Sequence, residues 1–403
     1  MTATLDIDLT DPDLYRNGFP HEVFSELRHR GPVHLHPAIE NRPGIPAMPF
    51  WSVVAHPQIQ QANRDWKTFA AYDGPMVGPE PLISAGRSVI ATDPPEQTEM
   101  RRIISSEFTP RMIGQLEQRL IERTTGILAA AGARGTCDFV RDVALQVPMH
   151  RIADIIGIPE EDRASVFWLL DRLLKSGDPY GPYSEEQRLA LQVELFEYAQ
   201  RITADKRTNP ADDVWTKLAV RLDGFELEMF FLILSVAGSE TTRNALSSGL
   251  IALLENPHQL AELRENPDLA VSTADEVLRW SSPVLLFGRT ATTDVTLGGQ
   301  DVAAGDRVVF WYPSGNRDES VFTDPFRFDI HRSPNPHIAF GGGGVHYCLG
   351  ANLAHKEIQV VLRSIATGWD IELDGPAVWA GAGPVHNVGI SIESLPVRIT
   401  ARS

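Results

Sequence analysis

Cysteine is scarce in this chain: 403 residues contain two, Cys137 and Cys348. Two thiols exclude a disulfide framework and a cysteine-rich zinc site, and they suit a reducing compartment. Positive charge is short as well. A formal net charge of −17 argues against a nucleic-acid partner, because phosphate binding wants a basic face. Long apolar runs are missing too. The longest, Met229 to Gly238, is interrupted by Glu240 and is too short to cross a bilayer. Met1 to Leu14 has neither the basic segment nor the apolar one of a secretory leader, so a cytoplasmic protein without a membrane anchor is expected. No Pro/Gly/Ser-rich linker or low-complexity stretch divides the chain, so residues 1–403 are expected to form one domain. Its 43% hydrophobic and 22% charged residues are those of an ordinary globular protein with ample core.

Against these absences stands one dense stretch, Phe340-Gly341-Gly342-Gly343-Gly344-Val345-His346-Tyr347-Cys348-Leu349-Gly350. The apolar residues Leu349, Leu353, Ile358, Val361, Leu362 and Ile365 after the cysteine recur near a 3.6-residue period, which predicts a helix. A cysteine at a helix start has backbone N–H groups and the positive end of the helix dipole beside it, and both favour the thiolate. The glycines remove side-chain bulk, leaving room for something flat and large against the backbone. Read alone, Cys348 is a buried free thiol on a turn before a core helix, but its surroundings are not those of a lone cysteine. Cys137 sits at a break between helices and reads as structural.

A second stretch, Phe230 to Asn244, sets Gly238, Ser239, Glu240, Thr241 and Thr242 inside an apolar helix. A helix from Glu226 to Asn256 would run about 45 Å at about 1.5 Å per residue, long enough to cross a whole domain. If buried, Glu240 and Thr241 need partners, and such conflicts cluster at functional sites. The bland alternative has Ser239, Glu240 and Thr242 facing solvent. Glu276 and Arg279 lie at i and i+3 on one helical face. Before them, Asp93-Pro94-Pro95 leads into a helix carrying Gln97 and Arg101, since proline suits a first turn. Short strands are expected at Val33–His36, at Phe50–Val54 and from Arg307 to Tyr312, and a helix from Pro20 to Arg30. From Arg111 to Leu222 the pattern is amphipathic helix, broken near Gly132–Gly135, Gly157–Pro159 and Gly177–Tyr183. The Gly- and Pro-rich Tyr72–Ser88 reads as a loop.

The cysteine stretch resembles the haem-binding loop of the cytochrome P-450 superfamily: an aromatic at Phe340, a basic residue at His346, the cysteine at Cys348 and a glycine at Gly350. A thiolate is the axial ligand that pushes electron density into haem iron. This chain takes eight residues from Phe340 to Cys348 where the usual pattern has seven. The extra glycine is similar to the loop of actinobacterial members that hydroxylate sterol side chains or branched lipids. The resemblance runs over nearly the whole chain. It implies a mainly α fold with small β-sheets, in which haem b lies between the long central helix and the cysteine loop. It further implies that Cys348 ligates iron and that Arg101, Arg289 and His346 meet haem propionates. Gln97 stands where a histidine is common, so that contact becomes a neutral amide or is lost. Glu240 and Thr241 match the acid–alcohol pair that relays protons to dioxygen. Glu276 and Arg279 match a buried structural pair locked to Arg327 of Pro325-Phe326-Arg327-Phe328. Leu234, Ala237, Val284, Leu285, Leu286 and Val388 fall where the family lines its pocket.

The implied reaction is insertion of one oxygen atom from O2 into a lipophilic molecule, a sterol, a branched lipid or a secondary-metabolite intermediate. No flavin or nicotinamide fingerprint follows a strand, so two electrons must come from outside, in this family from a ferredoxin and its NAD(P)H-dependent reductase. Arg102, Arg111 and Lys356 are the basic groups expected to meet that partner. Three other readings stand beside it: a tailoring oxidase that forms C–N, C–C or C–O ring bonds, a haem protein that binds a ligand without turnover, and a haem-free enzyme using Cys348 as nucleophile.

Overall fold

A computed structural model of the chain describes residues 6–38, 48–78, 88–176, 183–211, 213–222, 224–379 and 389–402. It divides into two units: Met1–Glu99 with Leu278–Cys348 and Trp379–Ser391, and Met100–Val277 with Leu349–Val378 and Ile392–Ser403.

The first unit is organised by a five-stranded sheet in the order Val33–His36, Phe50–Val53, Arg307–Trp311, Leu286–Ala291, Phe69–Ala70. Phe50–Val53 runs parallel to Arg307–Trp311, and the other neighbours are antiparallel. Successive strand residues point to opposite faces. Val308 and Phe310 therefore join Trp51, Val53, Phe69 and Ala291 in one apolar cluster. Val309 and Trp311 join Phe50, Leu286, Tyr15 and Phe24 in another. Burial on both faces accounts for the apolar run Val308–Trp311 within this strand. The His21–Arg30 helix covers one face with Phe24 and Leu27. A second helix, His56–Arg64, carries Pro57 in its first turn and buries Ile59, Ala62 and Asn63. Segment 72–78 has no regular structure, as its composition predicts, and is held by Arg307, which donates to the carbonyls of Gly74 (2.6 Å) and Val77 (3.1 Å). Residues 79–87 of that loop lie outside the described residues.

Helices make most of the second unit: Pro110–Arg134, Gln146–Ile156, Glu160–Lys175, Glu185–Thr208, Gly224–Glu255 and Ala351–Gly368, with shorter ones between. The Glu185–Thr208 helix opens on a reciprocal cap, Gln187 N–H to Ser184 Oγ (3.2 Å) and Ser184 N–H to Gln187 Oε1 (2.8 Å). Gly157, at φ 77°, ends the Gln146–Ile156 helix in the left-handed region. Gly132 does not break its helix. A Cβ there would stand 2.1 Å from the Trp369 ring, so its task is to admit Trp369, and the break falls at Gly135 (φ 74°). The Gly224–Glu255 helix packs on Gln146–Ile156, Glu185–Thr208 and Ala351–Gly368. Gly238 lets it approach Ile152, whose Cδ1 would lie 2.6 Å from a Cβ. A three-stranded antiparallel sheet, Thr136–Asp138, Pro396–Ala401 and Trp369–Leu373, closes the unit. Among the described residues no helix is long and apolar enough to cross a membrane.

Candidate active site

In the first unit the glycine loop is built from four consecutive residues in the left-handed half of backbone space, Gly341 to Gly344, with φ of 96°, 69°, 111° and 83°. Only glycine populates that region without a steric penalty. The loop turns back on itself: Cys348 N–H donates to Phe340 O (3.0 Å), and Tyr347 N–H to Gly344 O (3.2 Å). The end of the His56–Arg64 helix supports it from one side. Arg64 Nε–H donates to Gly342 O at 3.2 Å, and a Cβ on Gly344 would fall 2.3 Å from Asn63 O. The fourth glycine is therefore needed for close approach as well as for its φ. Cys348 itself is exposed, and Gly350, two residues on, caps the Ala351–Gly368 helix.

Gln97 is buried on the Glu96–Ile104 helix and donates Nε2–H to Val345 O at 2.7 Å. His346 Nε2 lies 3.2 Å from Asp93 Oδ1, while Asp93 Oδ2 accepts from Ala71 N–H at 2.8 Å. Arg289, buried on its strand, donates to the neighbouring Gly288 O (2.8 Å). Among the described residues no carboxylate forms an ion pair with it. Desolvation lowers its pKa, with Tyr312 and Asp93 acting the other way. Arg101 is half-buried one turn beyond Gln97.

In the second unit the Gly224–Glu255 helix sorts its polar residues by face. Ala237 is exposed within an apolar stretch, with Leu234 and Thr241 half-buried around it. Thr241 Oγ1–H closes back on Ala237 O at 2.7 Å, the usual bond of a helical threonine. Ser239, Glu240 and Thr242 are buried, which removes the solvent-facing reading. Glu240 Oε1 stands 3.6 Å from Arg243 Nη2. Acid and alcohol thus point into different surroundings, one buried beside a cation and the other on a half-open face.

Of the groups named from the sequence, Arg327, Leu285 and Leu286 are placed differently from expectation. Arg279 is wholly buried and donates to three carbonyls, Asn316 O and Pro325 O at 2.9 Å and Arg327 O at 3.2 Å. Arg327 thus takes part through its main chain. Its guanidinium is exposed, because two cations side by side would repel and a carbonyl satisfies Arg279 better. Glu276 is also fully buried. Leu285 and Leu286 are absorbed into the apolar cluster with Tyr15, Phe24 and Trp311, while Val284 stays half-buried. Val388 lies outside the described residues, as does the side chain of Arg111.

Sequence reading missed Glu357. It is buried on the Ala351–Gly368 helix, and desolvation raises its pKa to about 8, against the pull of Arg151 and Thr242. Burial lowers the pKa of Arg151 in turn, so desolvation of each outweighs their mutual attraction. The signal was present: Leu353, Glu357 and Val361 are four apart, an acid in the middle of an apolar stripe.

The family profile described as Cytochrome P450 matches residues 216–375. Over 376 residues the chain is 38% identical to a steroid C26-monooxygenase of Mycolicibacterium smegmatis, covering 90% of this chain and 87% of the relative. A methyl-branched lipid omega-hydroxylase of Mycobacterium bovis is 35% identical over 376 residues, 90% of this chain and 86% of its own. A solved structure, Mycobacterium marinum cytochrome P450 CYP268A2 in complex with pseudoionone, superposes with a TM-score of 0.90 at 34% identity, covering 98% and 99% of the two chains. The chain belongs to the cytochrome P450 family and has its fold. It is a haem-thiolate monooxygenase, which uses O2 and electrons from an external redox partner. The residues present fit a haem. In the first unit a side-chain-free glycine loop presents an exposed thiol, and among the described residues no carboxylate forms an ion pair with the buried Arg289.

Proposed function

We propose that Cys348 is the thiolate ligand of haem b and that the whole chain, 1–403, acts as one catalytic domain oxidising a sterol or branched lipid. The observation that carries this is the loop: four left-handed glycines are followed, after three residues, by an exposed cysteine. When bound, the haem supplies the redox centre at which dioxygen is reduced and one oxygen atom is passed to the substrate. Arg289 and Arg101 hold propionates. Arg289 is suited to this because a buried guanidinium gains most from a bidentate carboxylate. His346 adds a third propionate contact from the loop itself. Phe340 and Gly350 bound the loop that carries the ligand. Ala237 leaves room for the macrocycle beside the long helix.

Thr241 Oγ1 holds the proton nearest the open face, and its bond to Ala237 O is the resting position from which the hydroxyl turns. Glu240, kept beside Arg243, passes protons toward that face. The half-buried Leu234 and Val284 meet substrate, while Leu285 and Leu286 belong to the core. The similarity to a steroid C26-monooxygenase and a branched-lipid hydroxylase supports a lipophilic substrate, and it supports hydroxylation over ring formation. A ferredoxin and its NAD(P)H-dependent reductase in the cytoplasm supply the electrons, with the exposed Arg102 and with Lys356, which is paired to Glu117 at 3.1 Å, as docking cations. The test is the carbon monoxide difference spectrum of the dithionite-reduced protein beside Cys348→Ala. The far-red-shifted thiolate band is expected in the wild type and absent from the variant. A colourless protein, or one identical spectrum in both, overturns the assignment.

A further inference from the structure

Four successive glycines make the loop that carries Cys348 the least restrained kind of backbone, since each glycine loses more freedom on ordering than any other residue. A metal ligand on such a loop needs restraint from outside it. The short turn from Asp93 to Gln97 supplies it. Gln97 N–H donates to Asp93 O at 3.1 Å, fixing the turn. The two side chains of that turn then grip consecutive loop residues. Gln97 takes the carbonyl of Val345 (2.7 Å), and Asp93, itself anchored on Ala71 N–H, takes the ring of His346 (3.2 Å). These residues lie three and two positions before Cys348. Of the side chains gripping the loop, Gln97 is 1% exposed, whereas Arg64, on the other side, is exposed. Gln97 is withdrawn from water while Val345 is half-buried, so losing this donor removes the better-shielded of the two side-chain holds on the loop backbone.

We propose that Gln97 is a positioning residue for the cysteine loop: it holds the Val345 carbonyl so that the Cys348 sulfur is presented in one place. The inference rests on Cys348 being the haem ligand. It assigns Gln97 to the loop, whereas the resemblance offered a weakened propionate contact. The two roles separate experimentally. A propionate contact governs how tightly haem is kept, while a loop clamp governs how much of the haem carries a thiolate.

The experiment uses the haem-loaded full chain as wild type, Gln97→Leu, the isosteric Gln97→Glu and Gln97→His. For each, the thiolate and non-thiolate fractions of the reduced carbon monoxide complex, the reduction potential and the rate of haem transfer to apomyoglobin are measured. Loss of this hydrogen bond should move the thiolate-to-non-thiolate ratio by roughly two- to tenfold in Gln97→Leu and Gln97→Glu. Gln97→His, which keeps one N–H donor, should retain most of the thiolate form. Gln97→Glu keeps the shape of the side chain and reads the lost donor even if Gln97→Leu folds poorly. Faster haem transfer with an unchanged thiolate fraction overturns the clamp in favour of a propionate role. Spectra, potentials and transfer rates all equal to wild type overturn it as well. A wild-type protein without the thiolate band would instead remove the ligand assignment beneath it.

Discussion

Replacing Gly344 by alanine tests whether the glycine loop is held by shape. The residue sits at φ +83°, and a Cβ there would lie 2.3 Å from Asn63 O and 3.1 Å from Arg64 Cα. Both are backbone atoms at the end of the His56–Arg64 helix, so no rotamer change relieves the clash. A left-handed alanine costs about 1–2 kcal/mol, and forcing an extra carbon into a packed contact costs about 1–3 kcal/mol more. Together Gly344→Ala should lose about 2–5 kcal/mol in that segment. The neighbouring glycines calibrate this value. Gly341 has φ +96° but nothing nearer than 3.9 Å, so Gly341→Ala should show the backbone cost alone. At Gly343 the nearest atom is Arg64 Nε at 2.9 Å, a side chain that can swing away, so its cost should fall between the two. Gly126, on an exposed helical face with nothing within 4 Å, is the opposite control. Alanine there should stabilise by about 0.5–1 kcal/mol. The assay is the denaturant midpoint of each haem-loaded variant, read with its thiolate fraction. Gly344→Ala as stable as Gly341→Ala, with an unchanged spectrum, would refute the close-approach argument.

The other predictions concern protons. Glu357 has its folded pKa raised from 4.5 to about 8. The unfolded chain therefore loses this proton first, and stability should fall as pH rises between those values. Glu357→Gln should flatten that fall in denaturant midpoints taken across the window, and an unchanged slope would refute the buried-acid account. His21 is lowered from 6.5 to about 3 by burial and by Arg317, Arg28 and Arg279, and among the described residues its buried Nδ1 has no hydrogen-bond partner. Its contribution is complete above 6.5 and is lost as pH falls toward 3. His21→Phe, packed between Phe19 and Phe326, should lessen acid sensitivity over that range. Thr241→Ala removes a hydroxyl bonded only within its own helix. It should leave the denaturant midpoint nearly unchanged while product formed per NADH drops by about 10²-fold. Full coupling in the variant would remove Thr241 from proton delivery.

Whether a feature could be read from the sequence depended on whether its cause is local. The long helix, the strand from Arg307 and the glycine loop were legible because periodicity, glycine density and misplaced polar residues are properties of neighbouring positions. Gly132 shows the limit. Its composition suggests a break, but its reason is Trp369, which lies 237 positions away in the chain by subtraction of the two numbers and touches it in space. Gln97 and Val345 are separated by 248 positions, and nothing near either one states that they meet. The same holds for Arg279, which donates to the carbonyls of Asn316, Pro325 and Arg327. Carbonyls occur at every residue, so no sequence pattern marks them; the sequence points to the charged side chain of Arg327, whereas the contact is with its backbone. Leu285 and Leu286 illustrate the converse. Apolar residues beside a pocket and apolar residues in a core have identical composition, and only the packing around Tyr15 and Trp311 separates them. Glu357 lies between these cases. An acid in an apolar stripe is a local conflict of the kind that singled out Glu240. It stood out less because the cysteine loop that starts its helix already explained the stretch.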